Sequence, residues 1–205
     1  MYQHINGKAL VVNLSLNAVP FLVVVVHAPS GPTQPAFFQS LIKEIKAPPP
    51  GRRVILMGDF NFVSRPEVDV IPAAPSSTRD QSSIDALNEL AEHFGGLLDA
   101  YRVIHPDRPA TTHIPGGPAN NSAGNPRPHR RLDQIYVSPN LVMNMPALTD
   151  VHTLDQMQLA TLDRNGKSVC SDHAGVTATL RFSDIECPPP RWAYRPHRPR
   201  KLGRS

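Results

Sequence analysis

Leu10, Val12, Leu14 and Leu16 alternate with Val11, Asn13 and Ser15, the period of a strand with one well-covered face. Phe21 to Val26 is apolar without interruption, as in a strand covered on both faces, and residues 17–20 between the two runs predict a hairpin. Phe37, Phe38, Leu41, Ile42 and Ile45 recur at helical spacing, and the helix they predict is stopped by Ala47-Pro48-Pro49-Pro50-Gly51. Val54 to Phe60 predicts a second buried strand, and residues 64–81 read as loop. Ile84, Leu87, Leu90, Ala91 and Phe94 form the stripe of a helix over Ser82 to Phe94, with Ser82 and Asp85 as a capping box and Gly95-Gly96 as its end. Residues 105–130 hold six prolines and three glycines without periodicity and predict a long loop. "LDQIYVS" and "AGVTATLRF" give two more strands, the second with Val176, Ala178, Leu180 and Phe182 inward. Strands interleaved with helices indicate an α/β layered fold.

Composition adds boundaries. A chain of 205 residues with 40% hydrophobic and 19% charged residues suits one globular domain, placed at residues 1–186. From residue 187 the chain is Pro/Arg-rich and reads as a basic tail outside the core. Residues 181–205 carry seven Arg or Lys against Asp184 and Glu186, so the tail holds the surplus behind the net charge of +4 and the body is near neutral. Such a tail suits contact with a polyanion, nucleic acid first, or simply keeps the chain soluble. Two cysteines, Cys170 and Cys187, are too few for a disulfide framework or a four-ligand zinc site and favour a reducing compartment. The apolar run Val19 to Val26 loosely imitates a signal peptide, but Asn13, Ser15, Asn17 and Pro20 interrupt it and its valines favour a strand. No stretch of ~18 continuous apolar residues is present for a membrane span. The expectation is therefore an intracellular chain with no membrane partner, nuclear if the source is eukaryotic.

Several polar residues sit where apolar strands end. Asp59 and Asn61 share a face with Ile55 and Met57 if extended geometry persists through Asn61, and so emerge together at a strand's C-terminal end, where α/β folds build sites. The alternative is a Gly-Asp-x-Asn turn closed by Asx hydrogen bonds. Asp133 shares a face with Ile135 and Val137, points inward and needs a partner. Arg131 would be a structural partner and a histidine a functional one. Asp172-His173 precedes a strand and offers a metal ligand and a general acid/base, or only shapes a loop. His27 ends the Val-rich strand, where a hydrogen-bonded structural histidine is the plainer reading. The other histidines, at 4, 93, 105, 113, 129, 152 and 197, show no ligand spacing and read as surface or loop residues.

Taken together, "HAPS", "GDFN", "DAYRVIHP" with Thr112, "RRLDQIYVS" and "SDH", in this order, resemble the endonuclease/exonuclease/phosphatase superfamily, the fold of apurinic endonucleases and pancreatic deoxyribonuclease. "RLDQIYVSPNL" is most similar to the endonuclease domains of non-LTR retrotransposons, and the resemblance covers about residues 8–182. It implies a layered α-β-β-α sandwich and hydrolysis of phosphodiesters in nucleic acid, DNA above all, with Mg²⁺ or Mn²⁺ as cofactor. By the same resemblance Asp59 matches the acid that orients or deprotonates the attacking water, and Asn61 the amide that holds the scissile phosphate. His173 matches the histidine that stabilises the phosphate's developing charge, Asp133 the acid that orients it, and Asp172 a metal-site carboxylate. His27 matches a position where members carry histidine or tyrosine, a candidate donor to the phosphate or leaving group.

Members of the superfamily begin with a strand ending in Asn and a segment whose Glu is a principal metal ligand, and residues 1–26 contain no acid. The resemblance thus implies missing N-terminal strands, an apolar sheet face left uncovered, and impaired activity. It also implies a partner such as the absent N-terminal segment or the reverse transcriptase region of the same element. Two other readings remain open at this point: an inactive remnant that binds nucleic acid through the tail, and a phosphatase or phospholipid phosphodiesterase of the same superfamily.

Overall fold

The computed structural model describes residues 2–16, 18–72, 78–114, 128–143, 148–153, 161–162, 168–169 and 173–181. In chain order these form β1 (Tyr2–Ile5), β2 (Ala9–Leu16), β3 (Val19–His27), α1 (Gln34–Glu44), β4 (Arg53–Asp59), α2 (Pro66–Asp69), β5 (Val70–Ile71), α3 (Thr78–His93), β6 (Leu98–Asp99) and α4 (Ala100–Ile104). Then follow β7 (His129–Arg130), β8 (Asp133–Val137), a 3-10 turn (Pro139–Leu141), β9 (Leu148–Thr153), β10 (Thr161–Leu162), β11 (Ser168–Val169) and β12 (Val176–Leu180). The basic tail, Phe182 and both cysteines lie outside the described residues.

A sheet in the order β1-β2-β3-β4-β8-β6 is the spine. The hairpin read from residues 17–20 forms, pairing β2 with β3 from Leu16↔Val19 to Ala9↔Val26. β3 and β4 run parallel, which demands a crossover, and α1 supplies it. The amphipathic stripes explain the next layer: Phe37, Phe38 and Leu41 of α1 and Leu87, Leu90 and Phe94 of α3 bury against Val11, Leu22, Val24, Val26, Val54 and Leu56. Phe21, Ile135 and Val137 point the other way, and with Tyr101 and Leu141 they meet Leu148 and Val151 of β9 and, partly buried, Val176, Ala178 and Leu180 of β12. β9 and β12 pair as a separate two-stranded sheet. The chain is thus a layered α/β structure with α1 and α3 on one face of the main sheet and α4 with a small second sheet on the other. On that second face Leu10, Val12 and Val25 are only half-buried, and Tyr2 and Leu16 are exposed, so these described residues are covered incompletely.

Several elements differ from the sequence reading. β1 is short and polar, and it is attached by a tight turn whose Asn6 and Gly7 both have positive φ (49° and 64°), the conformation that Asn-Gly favours in hairpins. The stretch 64–81, read as loop, contains α2 and β5 and the beginning of α3. Because α3 begins at Thr78, Ser82 lies inside it and is not its cap. Gly95 and Gly96 do end it, at φ 91° and 81°, with Gly96 N donating to Ala91 O at 2.9 Å. No described helix is long and apolar enough to cross a membrane.

One glycine sets how closely the central strands approach. Gly58 has φ 138°, and a Cβ there would lie 1.9 Å from Val26 O in the parallel neighbour. Gly58→Ala must therefore push β4 away from β3, and we expect it to cost about 3 kcal/mol or more in urea denaturation. Gly51→Ala, at φ 81° with nothing within 4 Å of its Cβ, should cost only about 1–2 kcal/mol.

Candidate catalytic site

The polar ends of three neighbouring strands form one rim. Register places His27 of β3 opposite Asp59 of β4, and Asp59 opposite Asp133 of β8. Each alternates with residues of the face turned toward the small sheet, so all three point to that side. His173, just before β12, completes the group: its Nδ1 lies 2.8 Å from Asp133 Oδ2. His27 Nε2 lies 3.8 Å from Asp59 Oδ2, with His27 largely exposed and Asp59 at 17% exposure. Asp133 therefore has a histidine partner. Arg131, the alternative from the sequence, turns away to Asp69 and Asp99.

Asn61 reaches the rim by a different route from the one its spacing suggests. β4 ends at Asp59, and Asn61 has φ 54°, so extended geometry does not persist and the two residues do not share a strand face. Instead Asn61 N donates to Asp59 Oδ1 at 2.8 Å, the Asx turn, and its Nδ2 donates to Ala28 O at 2.8 Å. Phe60 between them is fully buried and packs on Phe38 and Tyr136, which anchors the turn. The Asx bond and a site role are thus compatible: the same bond that shapes the turn holds Asn61 beside Asp59. Asp172 lies outside the described residues.

Burial pushes the Asp59 carboxyl above its ordinary value of 3.8, and the facing Asp133 carboxylate adds to this. The Asn61 N–H, His173 and His27 oppose the shift without cancelling it. Two carboxylates held this close favour either a proton or a cation between them. One ligand atom each of Asp59, Asp133 and His173 lies within 4.8 Å of the others. Two hard carboxylate oxygens and an imidazole nitrogen fit a divalent cation.

Residues to which the sequence reading gave no role hold this group in place. Thr112 Oγ1 accepts from both Leu132 N and Asp133 N at 3.0 Å, and Thr112 O accepts from Ala174 N at 2.6 Å. One residue thereby binds the segments that carry Asp133 and His173. His113, read as a loop histidine, is bridged to both Arg130 and His173, and its ring lies 5.0 Å from that of His173. Behind them, wholly buried Asp69 takes two hydrogen bonds from Arg131, at 2.8 and 2.9 Å, and pairs with Arg102. Asp99 pairs with Arg131 and caps α4 through Tyr101 N and Arg102 N. Thr112 stood in the motif order that carries the resemblance, and the charged residues left only the clusters in "PEVDVI", "DAYR" and "RRLD", which periodicity does not interpret.

The Endonuclease/Exonuclease/phosphatase family matches residues 2–173. A curated relative, the Transposon TX1 uncharacterized 149 kDa protein of Xenopus laevis, is 28% identical over 146 residues, which are 71% of this chain and 10% of that protein. Among solved structures, an AP endonuclease from Archaeoglobus fulgidus superposes with a TM-score of 0.59 at 16% identity, over 85% of this chain and 65% of the other. AP endonuclease LMAP from Leishmania major gives 0.60 at 16% identity, over 86% and 55%. The 3'-5' exonuclease NExo from Neisseria meningitidis gives 0.54 at 22% identity, over 85% and 65%. The chain thus spans less than two thirds of each of these proteins, and with the three solved structures it shares the fold.

Two outcomes follow from the packing of the rim. A carboxyl held above its ordinary value binds its proton more tightly in the folded state, so its ionisation opposes folding once pH rises through the folded value. Asp59→Asn should therefore raise the melting temperature at pH 7 in EDTA, with the gain shrinking as pH falls toward 3.8. An unchanged or lower melting temperature at pH 7 would contradict this. Thr112→Val removes the acceptor of two buried N–H groups and should cost about 1–3 kcal/mol in denaturant unfolding, whereas Thr112→Ser, which keeps the oxygen, should cost clearly less.

Proposed function

The chain belongs to the Endonuclease/Exonuclease/phosphatase family, and from that premise we propose that it hydrolyses phosphodiester bonds in DNA as a retroelement endonuclease dependent on Mg²⁺ or Mn²⁺. The observation that carries the reading is the 2.8 Å pair of His173 and Asp133 beside Asp59 on one rim. The retroelement assignment is supported by the similarity to the transposon protein over 71% of this chain.

Each residue has a task that its surroundings suit. Asp59, with its raised proton affinity, orients the attacking water and accepts its proton as the phosphorus–oxygen bond forms. Asn61, held at Asp59 and Ala28, turns its amide to a phosphoryl oxygen. Asp133 binds Nδ1 of His173 and stabilises the imidazolium, which donates from Nε2 to the phosphoryl oxygen where charge accumulates. His27, exposed at the end of the row, donates to the phosphate or the departing oxygen. The carboxylates of Asp59 and Asp133, with Asp172 as a further acid, would hold the divalent cation, which when bound supplies Lewis-acid stabilisation of the phosphate's charge.

The test is nicking of supercoiled plasmid in Mg²⁺. We expect activity that EDTA abolishes and that falls about 10²–10⁴-fold in His173→Ala and in Asp59→Ala. Plasmid left intact by the wild type in both Mg²⁺ and Mn²⁺, or cut equally by Asp59→Ala, would refute the reading.

A further inference from the structure

The rim continues one strand beyond His27. Ala9 pairs with Val26, and one step outward His27 N donates to Lys8 O at 2.9 Å, so Lys8 stands across from His27. Lys8, His27, Asp59 and Asp133 then occupy successive positions along one edge of the sheet, two basic side chains followed by two carboxylates. With strands about 4.8 Å apart, the Lys8 backbone lies roughly 10 Å from that of Asp59. That separation suits two groups of one polyanion better than a direct ion pair.

The position of Lys8 is set by its backbone while its side chain is left in solvent. Lys8 N donates to Ile5 O at 2.9 Å, closing the tight Asn6-Gly7 turn, and the residue is exposed. Among the described residues its ammonium makes no ion pair. Its own hairpin cannot neutralise it, because the first acidic residue of the chain is Glu44. A cation with no ion pair among the described residues, mounted on a short turn next to the imidazole and acids of the site, is placed to meet an anion that arrives from outside.

We propose that Lys8 forms a phosphate-binding subsite at this edge, taking the backbone phosphate next to the scissile one on the substrate strand. This rests on the nucleic-acid reading of the site and adds the direction in which the strand leaves Asp59, past His27 toward the β1–β2 turn.

The experiment is binding of a fluorescein-labelled duplex oligonucleotide to the full chain, by anisotropy in EDTA across a NaCl series. Losing one phosphate contact lowers the slope of log K against log[NaCl] by about 0.9. Lys8→Gln should show that loss and Lys8→Arg should restore the wild-type slope. Lys43→Gln, an exposed lysine on α1, should leave it unchanged. A wild-type slope in Lys8→Gln, the same loss in Lys43→Gln, or no duplex binding by the wild type would overturn the subsite. Because binding is read without divalent cation, a wild type that binds duplex but fails to nick plasmid refutes the hydrolytic reading alone, and the slopes still decide Lys8.

Discussion

Asp69 is a carboxylate with no contact to solvent, and its ion pairs tie together three parts of the molecule. A lone buried carboxylate is costly by several kcal/mol, and the cost is offset only where the partners are close and well oriented. Arg131 meets it with two hydrogen bonds, Arg102 adds a second cation, and Asp99 neutralises the other side of Arg131 while capping α4. Burial alone would weaken the Arg131 proton, but the carboxylates of Asp99 and Asp69 outweigh it and raise its affinity. The end of α2, the start of α4 and the entrance to β8 are thereby joined through charge. Since Asp133 is two residues beyond Arg131, the network also sets where β8 begins.

That dependence explains which parts of the fold were legible in the sequence. Phe37 to Ile45, Ile84 to Phe94 and the strands around Val24 and Leu56 bury apolar stripes, and a stripe declares its own period. Asp59, Asp133, His173 and His27 were visible because each interrupts such a stripe at its end. For Asn61 the alternation reading gave way to the alternative also read from the sequence, the Asx turn, because alternation cannot foresee a left-handed residue. Asp69 and His113 were illegible for another reason: they lie in aperiodic segments, and Arg131 is sixty-two residues from Asp69; Thr112 stood in the motif order, but its tie to Leu132, twenty residues on, did not show. The tail and Asp172 remain expectations from sequence.

The rim itself is a balance of like and unlike charge. Asp59 and Asp133 face each other, which alone would drive one of them toward protonation, and two histidines temper the repulsion from either side. Asn61 contributes one backbone N–H to the same carboxylate. Gly58 and Asn61 take conformations that most side chains resist, so "GDFN" suits the two residue types that reach positive φ most readily. Such an arrangement favours a rigid sheet beneath it, and the fully buried faces of β3 and β4 provide that support.

The cross-strand pairing of β4 with β8 also governs time. His27, Asp59, Thr112, Asp133 and His173 come from five segments spread over most of the chain, and no two of them are brought together by a local turn. Contacts of such high sequence separation form slowly, because the entropy of closing long loops is lost before the contacts reward it. A collapsed chain could hold its helices and the β2–β3 hairpin and still lack any two of these five side chains in register. The rim therefore depends on the whole topology and not on any one part of it.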